Sequence, residues 1–174
     1  MSTNIIDFKN LSLPSINIWK ERWFVLTAGN ISKFNSMTIA WGSIGLMWNM
    51  PFIQVVVRPG RYTREFMEKN NTFTVCSFPD KYKKDLSILG SKSGRDCDKI
   101  SETNLTAVKS EIVDAPCFRE ADLIFECRKI YFQDMDPENF LSDKIIRNYP
   151  DKDFHRIYFG EILQIRGTKE FSVA

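Results

Sequence analysis

The chain has 174 residues, of which 43% are hydrophobic and 26% charged, a balance typical of one globular domain, here 1–174, with a sizeable core. The formal net charge is +2 and the basic residues are scattered among acidic ones, so neither points to a nucleic-acid partner. No run approaches the roughly 18 apolar residues of a membrane helix, and the N-terminus lacks an apolar signal core; we therefore expect no membrane partner and a cytoplasmic location.

The cysteines give no sign of a metal site. Cys76, Cys97, Cys117 and Cys127 are far apart, without C-x-x-C spacing, and the chain has one histidine. We expect reduced thiols, most of them packed in the interior, and no bound metal.

The first half of the chain predicts three strands after an irregular lead-in at 1–20. The first strand is predicted at 22–28, and Gly29 and Asn30 predict a turn after it. A second β-type stretch covers 35–46, where Gly42 and Gly45 suggest a bulge or a backbone that something approaches closely. A turn is predicted at 48–51, followed by a strand at 52–58 that Pro59 stops.

The second half adds two short helices and three strands. A helix is predicted at 61–69, a half-buried strand at 72–78, and a second helix capped by Asp80 and ending at Gly90. Residues 91–99 predict a polar loop, 123–133 and 156–165 predict long strands, and 143–148 predict a helical turn. Strands dominate without a β-α-β-α alternation, which favours a single β-barrel with helical inserts over a doubly wound nucleotide fold.

Two blocks suit a phosphate-bearing ligand, although each also has a purely structural interpretation. Arg58, Arg61 and Thr63 surround a strand–helix corner, where guanidinium groups and helix N-terminal amides bind phosphate well. The alternative is two surface arginines and a polar first-turn residue. The block Asn35, Ser36, Met37 and Thr38 offers short donors to a flat heteroaromatic ligand, or forms an ordinary turn. The side chains of Trp41 and Trp48 could stack on a ligand ring or could be buried in the core.

Two further features have the same ambiguity. The loop from Ser93 to Lys99 contains Gly94, which allows another group to approach the backbone closely. In the same loop, Lys99 or Arg95 could bind an anion. The alternative is a solvated polar loop. His155 precedes the last long strand, and its pKa range makes it a candidate proton donor, although a lone histidine is usually structural.

The order and spacing of these blocks together resemble the flavin reductase-like family, most of all the flavoredoxin branch of its FMN-binding split β-barrels. The most specific part is the Arg-Pro-x-Arg-Tyr-Thr block at its distance after the Asn-x-Met-Thr block, and the resemblance covers about 23–165. The residues that carry it are Asn35, Ser36, Met37, Thr38, Trp41, Gly42, Trp48, Pro51, Arg58, Pro59, Arg61, Tyr62, Thr63, Leu89, Gly90, Ser93, Gly94, Arg95, Asp96, Asp98, Lys99, His155, Phe159, Gly160, Glu161 and Ile162.

The resemblance implies a mainly β fold, a six-stranded Greek-key split barrel, and a homodimer with FMN in a groove near the dimer interface. It implies that Asn35 to Thr38 line the flavin ring and ribityl chain and that Trp41 lies near the ring. By the same resemblance, the phosphate is held by Arg58, Arg61 and Thr63, and Tyr62 is a further cofactor-binding residue. The loop with Ser93, Gly94 and Lys99 closes over the cofactor. His155 is placed beside the ring, where a nicotinamide docks, as the catalytic candidate.

The resemblance is compatible with three functions. The first is an FMN-dependent oxidoreductase that takes hydride from NAD(P)H and passes electrons to free flavin or another acceptor. The second is a flavoredoxin-like carrier that binds FMN tightly and is reduced by a partner protein. The third is a ligand-binding barrel without turnover. Cys97 stands where many relatives have an aliphatic residue, so its thiol is either redox-active or simply packed.

Overall fold

The computed structural model describes residues 2–173, and within them the chain forms ten strands and three α-helices. The strands are β1 (Asn4–Ile5), β2 (Phe24–Asn30), β3 (Lys33–Ile39), β4 (Gly42–Met47), β5 (Met50–Val57), β6 (Thr72–Ser77), β7 (Ala107–Val108), β8 (Cys117–Phe118), β9 (Leu123–Asp134) and β10 (Arg156–Gly167). The helices are α1 (Tyr62–Lys69), α2 (Lys83–Ser91) and α3 (Asp143–Ile146), and a π-helical turn covers Ile18–Arg22.

Eight of the strands form one antiparallel sheet in the order β3-β2-β6-β9-β10-β5-β4, with β1 paired to β10. The strands β7 and β8 form a separate pair. Met37 and Ile39 of the edge strand β3 belong to the same core cluster as Ile53 and Val55 of β5, and Ile44 of the opposite edge strand β4 packs against that cluster. The sheet therefore curls around this core, which is the split-barrel arrangement predicted from the resemblance.

The predicted strand count of six is wrong. The stretch predicted as one strand at 35–46 divides at Ala40 and Trp41 into β3 and β4, which lie at opposite edges of the sheet. The lead-in contributes the additional strand β1, because Asn4 pairs with Gly167. The lead-in is thus partly ordered, since the π-helical turn and a short 3-10 helix at Phe8–Asn10 also form there.

A two-residue turn at Trp48 and Asn49 joins β4 to β5. Both residues have positive φ, 53° and 57° respectively, as a tight hairpin turn that matches strand twist requires. The position of the turn predicted at 48–51 is therefore confirmed. The turn is two residues shorter than predicted, because Met50 and Pro51 already belong to β5.

Helices α1 and α2 bury one face each. Phe66 and Met67 of α1 pack into the main core, and Leu86 and Leu89 of α2 belong to a second cluster on the other side of β2. The prediction that Asp80 caps α2 is wrong, because a 3-10 turn from Asp80 to Tyr82 comes first and α2 begins at Lys83 without a side-chain cap. The strand–helix corner before α1 positions the site described below.

The thiols are free, and three of them are buried. Burial raises the pKa of Cys76 and of Cys127, which keeps these thiols protonated and unreactive. Residues 2–173 contain no group of three or more metal-binding side chains, and no helix there is long and apolar enough to cross a membrane.

Candidate functional site

Two adjoining cavities lie where β3, the end of β5, the start of α1 and the start of β10 converge. The His155 cavity, of about 190 Å³, is lined by Met37, Thr38, Ile39, Ala40, Trp41, Val56, Arg58, Arg61 and His155. The Lys99 cavity, of about 80 Å³, is lined by Asn35, Met37, Gly60, Arg61, Tyr62, Thr63, Leu89, Ser91, Lys92, Ser93 and Lys99. Met37 and Arg61 line both, so one elongated ligand can occupy the two together.

Residues of strand β3 line both cavities. Asn35 and Met37 point towards the Lys99 cavity, whereas the buried Ser36 hydroxyl pairs with Thr27 at 2.8 Å and lines neither cavity. Thr38 lines the His155 cavity and donates its hydroxyl hydrogen bond to the Leu86 carbonyl of α2. Asn35, Met37 and Thr38 can therefore contact a ligand in these cavities, whereas Ser36 lines neither.

Two cations in the Lys99 cavity form no ion pair with any carboxylate between residues 2 and 173. The Lys99 side chain is only 4% exposed, and its ammonium donates to the carbonyls of Leu89 (3.0 Å) and Lys92 (3.2 Å) at the C-terminal end of α2. Arg61 Nη1 donates to the Gly90 carbonyl at 2.8 Å. An ammonium has three donors and a guanidinium five, so both cations keep donors for a ligand.

The electrostatics of this cavity favour an anion. Burial, together with the neighbouring Arg61 charge, lowers the pKa of Lys99 to about 8. Both effects penalise the charged ammonium, because two positive groups share a partly desolvated space. A bound anion removes that penalty, so the cavity gains most from a ligand group with more than one negative charge.

The corner before α1 adds backbone donors to the same cavity. Arg61 occupies the N-cap position, and the amides of Tyr62 and Thr63 come at the first two helical positions, which have no intrahelical acceptor. The buried Thr63 hydroxyl accepts a hydrogen bond from Asn35 Nδ2 at 2.7 Å. That hydrogen bond ties β3 to the start of α1 and fixes two of the predicted ligand blocks against each other.

The loop from Ser93 to Lys99 packs closely over Asn35 and Tyr62. A Cβ atom on Gly94 would lie 2.1 Å from Asn35 Oδ1, so only glycine allows this approach. Arg95 lies over the Tyr62 ring at 4.9 Å and binds Glu65 at 2.6 Å, which fastens the loop to α1. The loop thus closes one wall of the Lys99 cavity, through Ser93 and Lys99, with its backbone against Asn35.

Arg58 has a different environment from Arg61, although the two are three residues apart. Its Nη1 donates to both carboxylate oxygens of Asp153 at 2.7 Å, and its Nη2 donates to the Asn148 carbonyl at 2.8 Å. The guanidinium also lies 5.1 Å over the ring of Tyr149. Arg58 therefore lines the His155 cavity while it holds the segment from Asn148 to His155 in place.

His155 is buried at the C-terminal end of this segment, and the centroid of its ring lies 5.4 Å from the ring centroid of Trp41. Its Nδ1 shares a 2.8 Å hydrogen bond with the Tyr149 hydroxyl. Burial, followed by the charge of Arg58, lowers the pKa of His155 to about 4, with Arg61 acting in the same direction. The imidazole is therefore uncharged at pH 7. It can donate or accept a hydrogen bond, but it is not a protonated acid at that pH.

The two cavities are thus lined by every residue of the predicted site except Ser36 and Gly94, and Gly94 packs against Asn35 instead. Gly42 and Gly45, where a close approach to the backbone was predicted, line neither cavity. The approaching groups are protein side chains, since a Cβ on Gly42 would meet Trp19 at 2.4 Å and one on Gly45 would meet Phe52. Tyr149 and Asp153 were not predicted as site residues. Their sequence signal was their position within six residues of the chain's single histidine.

Three comparisons with known proteins place this arrangement in context. The model of the flavin reductase like domain matches residues 20–172, whereas no curated protein matches the chain. The flavoredoxin from Methanosarcina acetivorans is 21% identical, with a TM-score of 0.68 over 99% of this chain and 77% of that one.

Two more solved structures have the same fold. The flavoredoxin of Desulfovibrio vulgaris (Miyazaki F) is 22% identical, with a TM-score of 0.66 over 92% of this chain and 73% of that one. The FMN-binding domain of a flavin reductases-like enzyme from Shewanella baltica OS155 is 17% identical, with a TM-score of 0.69 over 95% of this chain and 77% of that one. At these identities the likeness establishes the fold.

Proposed function

The chain belongs to the flavin reductase-like domain family, and from that premise we propose that it binds FMN and acts as an oxidoreductase. In this proposal it accepts hydride from NADH or NADPH and passes electrons to free flavin or another acceptor. The observation that carries the proposal is that two adjoining cavities share Arg61 as a lining residue. One holds two cations, Arg61 and Lys99, that pair with no carboxylate among residues 2–173, and the other is flanked by Trp41 and His155.

The Lys99 cavity fits the phosphate of FMN. A phosphate monoester carries about 1.5–2 negative charges at pH 7, which the charges of Arg61 and Lys99 balance. The Tyr62 and Thr63 amides at the start of α1 add donors of the kind that anions accept at helix N-termini. Asn35 and Ser93 complete a polar wall, so the whole donor set suits a phosphate.

The His155 cavity fits the ring side of the same ligand. Residues 37–40, at the end of β3 and just after it, line the cavity together with Arg58, Arg61 and His155. When bound, FMN supplies the hydride and electron transfer, while the protein supplies binding, orientation and electrostatics. The charges of Arg58 and Arg61 favour any negative charge that develops in this cavity, although the Asp153 carboxylate offsets much of the Arg58 charge.

An absorbance spectrum and one anaerobic experiment test the proposal. The purified protein should show flavin bands or acquire them on mixing with FMN. The FMN-loaded protein, mixed with NADH or NADPH without oxygen, should lose its flavin absorbance as the flavin is reduced. A protein that takes up no FMN contradicts the binding proposal. A protein that binds FMN but is bleached by neither nucleotide contradicts only the choice of electron donor.

The exposure of Trp41 favours a second candidate, a flavoredoxin-like electron carrier. This side chain is 48% exposed at the edge of the His155 cavity, so a docked redox protein can come close to a ligand there. The carrier proposal expects tight FMN binding and reduction by a ferredoxin-like donor protein but not by NADH or NADPH. Parallel stopped-flow measurements with the three donors separate the two candidates.

We also propose that the chain forms a homodimer through exposed aromatic residues near the β4–β5 turn. Trp48 is 54% exposed and Leu46 67% exposed, and the Trp48 ring contacts Tyr131 and Phe159 on the neighbouring strands. Apolar clusters of this kind mark interfaces in soluble proteins. Sedimentation equilibrium should give twice the chain mass, and Trp48→Asp should shift the protein towards the monomer.

A further inference from the structure

The hydrogen bond between Tyr149 and His155 determines what the imidazole offers to the His155 cavity. The Tyr149 hydroxyl lies 2.8 Å from His155 Nδ1 and 3.4 Å from the sulfur of Met135. His155 Nε2 has no hydrogen-bond partner among residues 2–173, and the side chain lines the cavity. The position of one hydroxyl hydrogen therefore decides which imidazole nitrogen is protonated.

The relative strength of the two acceptors settles that position. Burial raises the pKa of Tyr149, so the hydroxyl stays protonated and has a hydrogen to donate. A thioether sulfur is a weak acceptor, whereas an unprotonated imidazole nitrogen is a good one. Donation from Tyr149 to Nδ1 therefore leaves the single imidazole hydrogen on Nε2, the nitrogen without a protein partner.

The segment that carries Tyr149 and His155 is anchored on both sides. Arg58 holds it through the Asp153 carboxylate and the Asn148 carbonyl, and its guanidinium lies over the Tyr149 ring. On the other face, the Tyr149 ring stacks on Phe140 with an interplanar angle of 9°. The hydroxyl is thus fixed relative to the imidazole by packing that does not involve any ligand.

We propose that Tyr149 is a positioning residue that fixes His155 as the Nε2–H tautomer and so presents a hydrogen-bond donor to the His155 cavity. A donor at this position suits a ligand carbonyl oxygen, such as that of a nicotinamide carboxamide. Only this last assignment rests on the proposed function, whereas the tautomer itself does not depend on any ligand.

Nitrogen-15 NMR of the imidazole tests the proposal directly. The chain has one histidine, so a protein purified without a histidine tag gives one pair of imidazole nitrogen signals. At pH 7 the wild type should show a protonated Nε2 and an unprotonated Nδ1 whose shift is that of a hydrogen-bonded acceptor. A protonated Nδ1, or a mixture of tautomers in exchange, overturns the proposal.

Tyr149→Phe removes the donor and keeps the ring packing. Its Nδ1 signal should move to the position of an imidazole nitrogen without a hydrogen bond, and an unmoved signal overturns the proposal. Tyr82→Phe is the matched control, because the Tyr82 hydroxyl makes no hydrogen bond within residues 2–173 and the side chain packs in the other core cluster. If Tyr149→Phe does not fold, the wild-type measurement still decides.

Kinetics adds a readout that separates this inference from the proposed function. If the protein oxidises NADH or NADPH, Tyr149→Phe should raise KM for the nucleotide about threefold or more and leave the Kd for FMN within about twofold. An unchanged KM in an active enzyme overturns the carbonyl-donor role. A protein that oxidises neither nucleotide contradicts the proposed electron donor, and the NMR result stands on its own.

Discussion

Arg58 binds Asp153 through both carboxylate oxygens, although the two residues are 95 positions apart in the chain. This pair neutralises an arginine that the sequence pattern assigns to phosphate binding and joins the end of β5 to the segment that carries His155. Arg61, three residues later, has no such partner among residues 2–173 and faces both cavities. The two arginines of one motif thus have distinct surroundings.

We expect the two arginines to differ in their effect on FMN affinity. Arg61→Ala removes a cation that lies in the proposed phosphate cavity and should raise the Kd for FMN about tenfold or more, because one or two charged hydrogen bonds are lost. Arg58→Ala should raise it less, since Asp153 already binds the Arg58 guanidinium. Fluorescence titration with FMN measures both. Equal losses for the two variants would show that the Asp153 pair opens when the ligand binds.

FMN affinity should decrease as the pH rises through about 8. Because burial and Arg61 lower the pKa of Lys99 to about 8 in the ligand-free protein, this lysine loses its charge above that pH. A bound phosphate stabilises the charged form, so binding must weaken as the ammonium deprotonates. The second phosphate pKa is near 6, and the ligand therefore stays dianionic over this range.

Lys99→Met provides the test of that assignment. The variant should bind FMN more weakly at pH 7 and should lose the change of Kd between pH 7 and pH 9. Lys69→Gln is the control, because this exposed lysine lies at the far end of α1 and should leave both the affinity and its pH dependence unaltered. A pH dependence that persists in Lys99→Met would mean that another group titrates.

Gly94→Ala should destabilise the protein, whereas Gly60→Ala should not. The added methyl group at position 94 would lie 2.1 Å from Asn35 Oδ1, so either the loop or the Asn35–Thr63 hydrogen bond must move. Overpacking of this kind costs on the order of 1–3 kcal/mol of unfolding free energy. A Cβ at position 60 would have no atom of residues 2–173 within 4 Å, apart from the neighbouring residues of the chain. Urea unfolding curves of the two variants, compared with wild type, measure the difference.

The imidazole of His155 should stay neutral well below the usual histidine range. Burial and the charges of Arg58 and Arg61 lower its pKa to about 4, so its carbon-bound proton signals should not titrate between pH 8 and pH 5. The unfolded chain protonates this histidine near pH 6.5, so its contribution to folding stability is present above that pH and is lost as the pH falls towards 4. Titration with a midpoint near 6.5 in the folded protein would contradict the buried environment.

Much of the site was predictable from sequence because short blocks carry it. The Asn-x-Met-Thr and Arg-Pro-x-Arg-Tyr-Thr blocks each fall within one strand or one strand–helix corner, and local chain geometry fixes where such blocks point. The strands at 52–58, 72–78, 123–133 and 156–165 were likewise predicted to within two residues, because alternating or continuous apolar runs report burial directly.

The division of the stretch at 35–46 was not predictable in the same way. Thr38, Ile39 and Ile44 favour strand. Gly42 suggests a bulge at most, and does not show that the chain leaves one edge of the sheet at β3 and enters the other edge at β4. Sheet closure around the core decides this break, and strand propensity does not encode it.

The sequence by itself determined the family resemblance, the mainly β fold and the set of cationic and polar residues that surround one site. Only the tertiary structure decided that Asp153 neutralises Arg58, that Arg61 and Lys99 share the polar cavity, and that Ser36 faces Thr27 instead. The physical reason is that charge pairing, burial and pKa depend on partners from distant segments. Those partners meet only when the sheet closes.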